Sequence, residues 1–260
     1  MPELPEVETI VRALRPRLEG CLITSARYSP SRVFRGEFPP ELAGARIERV
    51  RRHGKYILWG LDRGTLAMHL GMTGKLLFNA PQTPYVRAEF DLEGLRLTYD
   101  DIRQFGRIAW SEALPSLVAR LGPDPLEVPL EEFRRGLQGR KTNLKALLLN
   151  QGFLRGLGNI YVDEALFRAE IHPLMAAHRL QPIRVERLWE EIRELLEEAI
   201  AHGGSSISDY VNTEGKQGSF QREHRVYGRE GKECLRCGRT ILKIVVAQRG
   251  THYCEGCQRR

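Results

Sequence analysis

The chain has 260 residues, of which 42% are hydrophobic and 28% are charged, and it contains no repeat or low-complexity tract. This composition is typical of a soluble protein with two or three domains, and no apolar run is long enough to span a membrane. Lys and Arg outnumber Asp and Glu by 40 to 33, which favours a polyanionic partner but also suits simple solubility. Five cysteines, four of them near the end, argue against a secreted disulfide framework and for a metal site.

The first eight residues, MPELPEVE, combine a proline with closely spaced acids. If Met1 is removed, as a small second residue permits, Pro2 becomes a secondary amine that can attack a sugar C1′ to give a cationic iminium. Glu3 lies next to that amine, and Glu6 follows Pro5 in the first turn of a predicted helix. The alternative is an ordinary capped helix at a frayed terminus. An apolar stripe anchors this helix: Val7, Ile10, Val11, Leu14 and Leu18.

Residues 22–110 alternate β-rich runs with turn residues, which predicts an antiparallel sandwich or barrel with the first helix docked on it. The predicted strands are 22–28, 46–52, 56–61, 65–70, 75–78, 88–92, 95–99 and 108–110.

Prolines crowd into residues 115–129 and predict a linker at 122–129. From residue 130 to 202 the periodicity is helical, with helices predicted at 133–137, 144–149, 160–169 and 188–200. Gly203 and Gly204 close the last helix. The Gly/Ser-rich segment 203–219 is either a lid or a plain connector. The fold class predicted is therefore α+β with several domains.

The C-terminal cysteines have the paired spacing of a structural zinc site: Cys234, Cys237, Cys254 and Cys257. Between the pairs, residues 241–248 and 251–253 predict a hairpin with Arg249 and Gly250 at its tip, which makes a zinc ribbon. Residues 229–260 hold eight Lys or Arg against three Glu, so the tip suits a backbone phosphate, although a purely structural staple is the alternative. Cys21 stands apart and is predicted to be a small buried residue.

Residues 142–151 and 156–161 predict a helix, a glycine-rich turn and a second helix capped by Asn159. Such a turn exposes backbone N–H groups suited to a phosphate, but any αα corner shares the pattern. Two loops, 69–74 and 100–106, carry apolar tips at Met72 and Phe105. These tips suit insertion into a base stack, whereas the alternative makes both side chains core residues.

The opening Pro-Glu-Leu-Pro-Glu-Val-Glu, the Gly-Leu-Gly-Asn-Ile-Tyr run at 156–161 and the cysteine module together resemble the bacterial formamidopyrimidine-DNA glycosylases over nearly the whole chain. The resemblance implies a catalytic β-sandwich domain at 1–122, a helix-two-turn-helix domain with a lesion-side loop at 130–224 and a zinc-ribbon hairpin at 225–260. It also implies one structural Zn²⁺, damaged double-stranded DNA as the partner, a monomer, and a cytoplasmic, nucleoid-associated location in a bacterium.

The resemblance assigns the chemistry to the N-terminus. Pro2 is implied to be the nucleophile and Glu3 the acid that protonates the ribose ring oxygen, with Glu6 supporting proton transfer. Lys55, at the turn of Gly54-Lys55-Tyr56, and Arg249 are implied to act beside them on phosphates at the reacting sugar.

The resemblance also assigns the DNA contacts. Asn159 is implied to hold the phosphate that flanks the lesion, and Lys145 to lie near the damaged nucleotide. Met72 and Phe105 are implied to fill the gap left by the extruded nucleotide, and Arg103 to bond the orphaned base. His69 and Arg87 complete the set, although Arg87 stands where the family commonly has a phosphate-contacting histidine.

The predicted function is a bifunctional glycosylase and abasic-site lyase that excises 8-oxoguanine and formamidopyrimidines and cuts the strand by β,δ-elimination. One alternative is a sister enzyme for oxidised pyrimidines, which is disfavoured because that group typically has Gly where this chain has Leu4. The other is a non-catalytic zinc-ribbon DNA-binding protein, which explains the cysteines but not Pro2 and Glu3.

Overall fold

The computed structural model of the chain describes residues 1–34, 41–207 and 209–259, with Leu117 described by its backbone alone. The chain forms two compact units: Met1–Arg120 with Ile200–Gln221, and Leu121–Ala199 with Arg222–Arg260. Across the described residues, no helix has both the length and the apolar character needed to cross a membrane.

The first unit contains two four-stranded antiparallel sheets among its described residues, in the orders β1-β6-β7-β5 and β2-β3-β4-β8. All the strands predicted between residues 22 and 110 form, each within two residues of its expected ends. The strands are β1 Ile23–Tyr28, β2 Ile47–His53, β3 Tyr56–Leu61, β4 Gly64–His69, β5 Lys75–Phe78, β6 Val86–Leu92, β7 Leu95–Asp100 and β8 Arg107–Ser111. The predicted antiparallel sandwich is confirmed.

Helix α1, Leu4–Leu18, packs on β2 and buries the whole predicted apolar stripe in the core of the first unit. Each buried Leu, Ile or Val of that stripe contributes roughly 1.5–3 kcal/mol of hydrophobic free energy. The same core holds the aromatic pair Trp59 and Phe90, whose ring centroids lie 4.9 Å apart. The start of the chain is therefore fixed against the sheet instead of fraying.

Residues 200–221 lie in the first unit, although the prediction of a helical domain at 130–224 placed them elsewhere. The reason is a set of hydrogen bonds to α1, since the Ser205 N–H donates to Glu6 and the Tyr210 ring joins the core beside that helix. A short helix α2, Ser116–Ala119, was not predicted.

The second unit is built from helices and one hairpin. The helices are α3 Leu130–Leu137, α4 Leu144–Leu149, α5 Asn159–Arg168 and α6 Pro182–Ala201, and the hairpin is β9 Leu242–Val246 with β10 Arg249–Tyr253. Helix α6 begins at a proline, six residues before the predicted start, and its first turn holds the exposed Ile183 and the buried Val185.

The predicted hairpin tip is wrong. Ala247 and Gln248 form the turn with φ of 50° and 60°, and Arg249 pairs with Val246 as the first rung of the ladder. Two consecutive left-handed residues give the tight turn whose twist matches that of the strands, a conformation that Ala and Gln rarely adopt.

Cys21 is half-buried instead of buried, and its Sγ lies 3.2 Å from the Arg17 carbonyl oxygen.

Candidate active site

The N-terminus of α1 gathers the predicted catalytic acids. Pro2, Glu3 and Glu6 are all buried, and Glu3 is the N-cap residue of the helix. The Glu3 N–H donates to Glu6 Oε2 at 2.7 Å, which satisfies one of the N–H groups that a helix start leaves without a partner in the helix. Two carboxyl groups therefore lie within one turn of the predicted nucleophile.

The second oxygen of Glu6 fixes its orientation. Glu6 Oε1 accepts from the Ser205 N–H at 2.7 Å. Gly204 has φ of +80°, and a Cβ at this position would lie 2.7 Å from Glu6 Oε1, so only glycine fits there. The Glu6 carboxylate is thus held from both sides by backbone N–H groups, and the segment around Gly204 is seated on the helix start.

Tyr210 holds the same segment. Its hydroxyl lies 3.1 Å from the Gly203 carbonyl oxygen and 3.3 Å from the Glu6 carbonyl oxygen. Burial, and then the charge of Glu6, raise the pKa of Tyr210, so the hydroxyl keeps its proton and donates. The sequence reasoning missed Ser205 and Tyr210; the one available signal was a lone aromatic residue within a polar, glycine-rich segment.

Lys55 and His69 lie together on the first unit. Lys55, at the turn between β2 and β3, is 8% exposed, which excludes an ordinary solvated lysine. Burial lowers the pKa of His69 to about 4, and the positive charges of Lys55, Arg107 and the N-terminus act in the same direction. His69 Nδ1 accepts from the Gly71 N–H at 3.0 Å, so the neutral ring carries its proton on Nε2.

A buried ion pair connects α1 to the turn that carries Lys55. Arg52 Nε lies 2.9 Å from Glu8 Oε2, and Arg52 Nη1 lies 3.5 Å from the Gly54 carbonyl oxygen. Burial acts to raise the pKa of Glu8, but hydrogen bonds and charge from Arg12 and Arg52 outweigh it and lower that pKa. Glu8 therefore stays ionised and holds the lysine turn at a fixed distance from the helix start.

The loops that carry Met72 and Phe105 are exposed at their tips and are joined by hydrogen bonds below the tips. Met72 is 40% and Phe105 54% exposed, so neither is a core residue. Below them the buried Asp101 accepts from Thr73 Oγ1 at 2.5 Å and from the Gly106 N–H at 2.8 Å. One carboxylate thus joins the two loops, a role that the sequence reasoning did not assign to Asp101.

The two loops also touch directly. Gly71 has φ of +60°, and a Cβ there would lie 2.5 Å from the Phe105 carbonyl carbon. The Arg103 guanidinium carbon lies 4.5 Å from the centre of the Phe105 ring, a cation–π contact. The two loops therefore form one platform. The apolar side chains of Met72 and Phe105 and the cationic side chain of Arg103 project from it.

Arg87 lies behind these loops. Its Nε donates to the Asp101 carbonyl oxygen at 3.1 Å, and Nη1 lies 3.5 Å from the Pro84 carbonyl oxygen. Its side chain is half-buried at the edge of the platform.

In the second unit, one prediction for the helix–turn–helix segment needs correction. The N-cap of α5 is Gly158, not Asn159, because the Asn159 side chain bonds to other groups. Lys145 is 0% exposed, and its Nζ lies 2.6 Å from Asp163 Oδ1 and 2.6 Å from Asn159 Oδ1. The lysine thus holds Asn159 in place, and its location near the damaged nucleotide stays a prediction.

Asn159 links the helices to the C-terminal hairpin. It is half-buried, and its Nδ2 donates to the Gly250 carbonyl oxygen at 2.8 Å. The neighbouring Arg249 is exposed at the start of β10. Asn159 is therefore bonded to the residue that follows Arg249, although the two positions are 91 residues apart in sequence.

The four predicted zinc ligands converge. Their Sγ atoms all lie within 4.8 Å of one another, with 3.8 Å between Cys234 and Cys257 and 3.4 Å between Cys237 and Cys254. A tetrahedral zinc with Zn–S bonds of about 2.3 Å requires Sγ atoms about 3.8 Å apart. The cysteines thus fit one Zn²⁺, which would tie the hairpin to the loops that flank it.

Comparisons with known proteins cover the entire chain. Residues 1–108 match the formamidopyrimidine-DNA glycosylase N-terminal domain, residues 121–211 the formamidopyrimidine-DNA glycosylase H2TH domain, and residues 231–260 a zinc finger found in FPG and IleRS. The chain is 49% identical over 265 residues to the formamidopyrimidine-DNA glycosylase of Solibacter usitatus, with 100% of both chains covered. It is 44% identical over 268 residues to that of Thermus thermophilus, with 99% of this chain and 98% of the relative covered.

Solved structures agree. The crystal structure of the MutM (FPG) protein from Thermus thermophilus matches with a TM-score of 0.89 at 42% identity, covering 99% of this chain and 98% of that one. A Lactococcus lactis FPG mutant in complex with Fapy-dG-containing DNA matches with a TM-score of 0.90 at 36% identity, covering 100% of both. The chain belongs to the formamidopyrimidine-DNA glycosylase family, and it is a zinc-finger DNA glycosylase of base-excision repair.

Proposed function

We propose that this enzyme removes oxidised purines, namely 8-oxoguanine and formamidopyrimidines, from double-stranded DNA and then cuts the strand as a lyase. The observation that carries the proposal is the buried group of Pro2, Glu3 and Glu6 at the start of α1. A secondary amine can attack a sugar C1′ to form an iminium ion, and a carboxylic acid beside it can supply the proton that this reaction requires. The Lactococcus lactis relative was crystallised with Fapy-dG-containing DNA, which supports the choice of substrate.

The first half of the reaction opens the sugar. In the chain that lacks Met1, the Pro2 nitrogen uses its lone pair to bond to C1′. The damaged base leaves with the electrons of the glycosidic bond and takes up the proton that the Pro2 nitrogen loses. Glu3 gives a proton to the ring oxygen, which leaves C1′ and remains on C4′ as a hydroxyl group. Pro2 and C1′ are then joined as an iminium ion.

The second half cuts the strand. The positive iminium withdraws electrons and acidifies the C2′ proton, so a base removes that proton and the 3′ phosphate leaves. A second proton loss expels the 5′ phosphate, and water releases the sugar fragment from Pro2. Glu6 supports these proton transfers, since two backbone N–H groups hold its carboxylate beside Glu3.

The proposed DNA contacts use exposed and half-buried polar groups together with the buried Lys55. We assign phosphate contacts to Lys55, Asn159, Arg249, Arg87 and the Nε2–H of neutral His69. Cationic and amide N–H donors of this kind position DNA without reading its sequence. The platform of Met72, Arg103 and Phe105 fills the gap that the extruded nucleotide leaves, and Arg103 bonds the orphaned base. The enzyme acts as a monomer in this proposal.

Duplexes with one defined lesion test the proposal. The enzyme without Met1 should release free 8-oxoguanine and leave a gap with phosphates at both ends, as β,δ-elimination requires. Faster release of an oxidised pyrimidine such as thymine glycol would overturn the substrate assignment. Base release without strand cuts would overturn the lyase assignment.

Phe105→Ala should slow excision from duplex DNA by roughly tenfold or more, because an aromatic ring stacked on a base contributes about 1–3 kcal/mol. Cleavage of an abasic site should change much less, since that site is already unstacked. Ile102→Ala, which truncates another exposed apolar side chain of the same loop, is the matched control. Equal losses on both substrates would show that Phe105 supports only the fold.

Cys237→Ser should lose most of the bound zinc, which we expect at one ion per chain in protein purified without chelator. Metal binding and folding of such a hairpin are coupled, so DNA affinity should fall while the β-sandwich stays folded. Cys21→Ser is the control, because Cys21 lies in the first unit beside Arg17. Full zinc content in Cys237→Ser would contradict the assigned ligand set.

A further inference from the structure

We propose that Asp163 is a positioning residue that fixes Asn159 and the hairpin carrying Arg249 relative to each other. The inference rests on the proposed phosphate contacts of Asn159 and Arg249. Asp163 lies on α5 one turn after Asn159, and its side chain is fully buried. Its two carboxylate oxygens point to different neighbours, one in the helices and one in the hairpin.

The first oxygen sets the orientation of Asn159. Asp163 Oδ1 accepts from Lys145 Nζ at 2.6 Å, and the same ammonium group donates to Asn159 Oδ1 at 2.6 Å and to the Asn159 carbonyl oxygen at 3.3 Å. The three N–H bonds of Lys145 are thereby used. Because the ammonium group fixes the oxygen end of the Asn159 amide, the NH₂ end must face the hairpin, where it donates to Gly250.

The second oxygen sets the hairpin. Asp163 Oδ2 accepts from the His252 N–H at 2.9 Å and lies 3.2 Å from His252 Nδ1. His252 is in β10, three residues after Arg249 and two residues after Gly250. The hydrogen bonds therefore form a closed ring from Asp163 through Lys145, Asn159 and Gly250 along β10 and back to Asp163.

Stability alone does not require this arrangement. A buried ion pair contributes little net free energy of folding, because the desolvation of both charges offsets their attraction, and apolar residues often replace such a pair without loss. What a carboxylate provides is acceptance from two directions at once. Here it joins the helix that presents Asn159 to the strand that presents Arg249, two proposed contacts to the same DNA backbone.

Asp163→Asn tests the inference. An amide has one oxygen, so it accepts from Lys145 or from His252 but not from both, and its NH₂ group faces the donor on the other side. The KM for lesion-containing duplex should rise about tenfold, the effect of one lost charge-assisted hydrogen bond, while kcat stays near that of the unsubstituted enzyme. The slope of log affinity against log salt should become shallower by about 0.9, one phosphate contact.

Asp124→Asn is the matched control. Asp124 is another buried carboxylate of the second unit, with Oδ2 at 3.4 Å from Arg155 Nε and Oδ1 accepting from the Leu126 N–H at 3.1 Å. This variant should lose stability to a similar degree but keep its KM and its salt slope. Asp163→Asn leaves the buried charge of Lys145 without its partner, and the variant can fail to fold for that reason. The double variant Lys145→Met with Asp163→Asn removes both charges. It should show the same rise in KM and the same shallower salt slope.

The inference is overturned if the Asp163 variant that folds matches Asp124→Asn in KM and salt slope. The salt slope is measured by binding to a duplex with a stable abasic-site analogue, which requires no catalysis. An inactive but DNA-binding parent enzyme would therefore contradict the proposed function, whereas an unchanged slope would contradict the role of Asp163.

Discussion

Glu3→Gln should reduce release of an intact damaged base by roughly 10²–10⁴-fold, the usual contribution of a general acid. Glutamine has nearly the same shape as glutamate but cannot give up a proton to the ring oxygen. The bond from the residue 3 N–H to Glu6 uses the backbone, so the substitution leaves it in place. The loss should therefore be one of chemistry and not of fold.

An abasic site provides the internal control for Glu3→Gln. Its opened sugar already presents an aldehyde, so the Pro2 amine can form the iminium without ring opening assisted by Glu3. Single-turnover rates on a lesion and on an abasic site, measured with one enzyme preparation, separate the two steps. Equal losses on both substrates would instead give Glu3 a role in placing or deprotonating the amine.

Retention of Met1, or of tag residues ahead of Pro2, should abolish both base release and strand cutting. In an extended chain the proline nitrogen is an amide, whose lone pair is delocalised into the carbonyl group and cannot attack C1′. The Met1 side chain is 48% exposed, so this end of the chain can carry extra residues without disturbing the buried Glu3 and Glu6. The effect should thus be complete and confined to chemistry.

A cleavable N-terminal tag allows this comparison on a single preparation. Thermal unfolding should be unchanged when the protease frees Pro2, whereas activity should appear from a baseline of zero. Activity that is equal before and after cleavage would show that the N-terminal amine takes no part in the reaction.

Much of the fold is predictable because it is encoded locally. Short alternating runs give the strands of the two sheets, and the apolar stripe of α1 gives the docked helix, since both patterns depend on neighbours two to four residues apart. The paired cysteines are an equally local signal. The prediction of the hairpin tip was wrong because the local signal is misleading there. Ala247 and Gln248 adopt left-handed conformations that their side chains do not favour.

The site is less predictable because its parts meet through tertiary contacts. Glu6 is a plausible acid from its position alone, but Ser205, which holds its carboxylate, lies 199 residues further along the chain. Asn159 suggests a helix cap by its residue type, yet the burial of Lys145 and Asp163 draws its side chain to another partner. Neither of these contacts can be predicted from the helix or strand propensities of neighbouring residues.

Borohydride reduction during turnover tests the central claim, that Pro2 is a covalent nucleophile. An iminium is reduced to a stable amine, so enzyme without Met1 and lesion-containing duplex should be locked into one covalent species. Peptide mapping of that species should place the DNA fragment on residue 2, and the species should be absent when the terminus is extended. A cross-link that maps to Lys55, or that forms at full yield with the terminus blocked, would contradict the account.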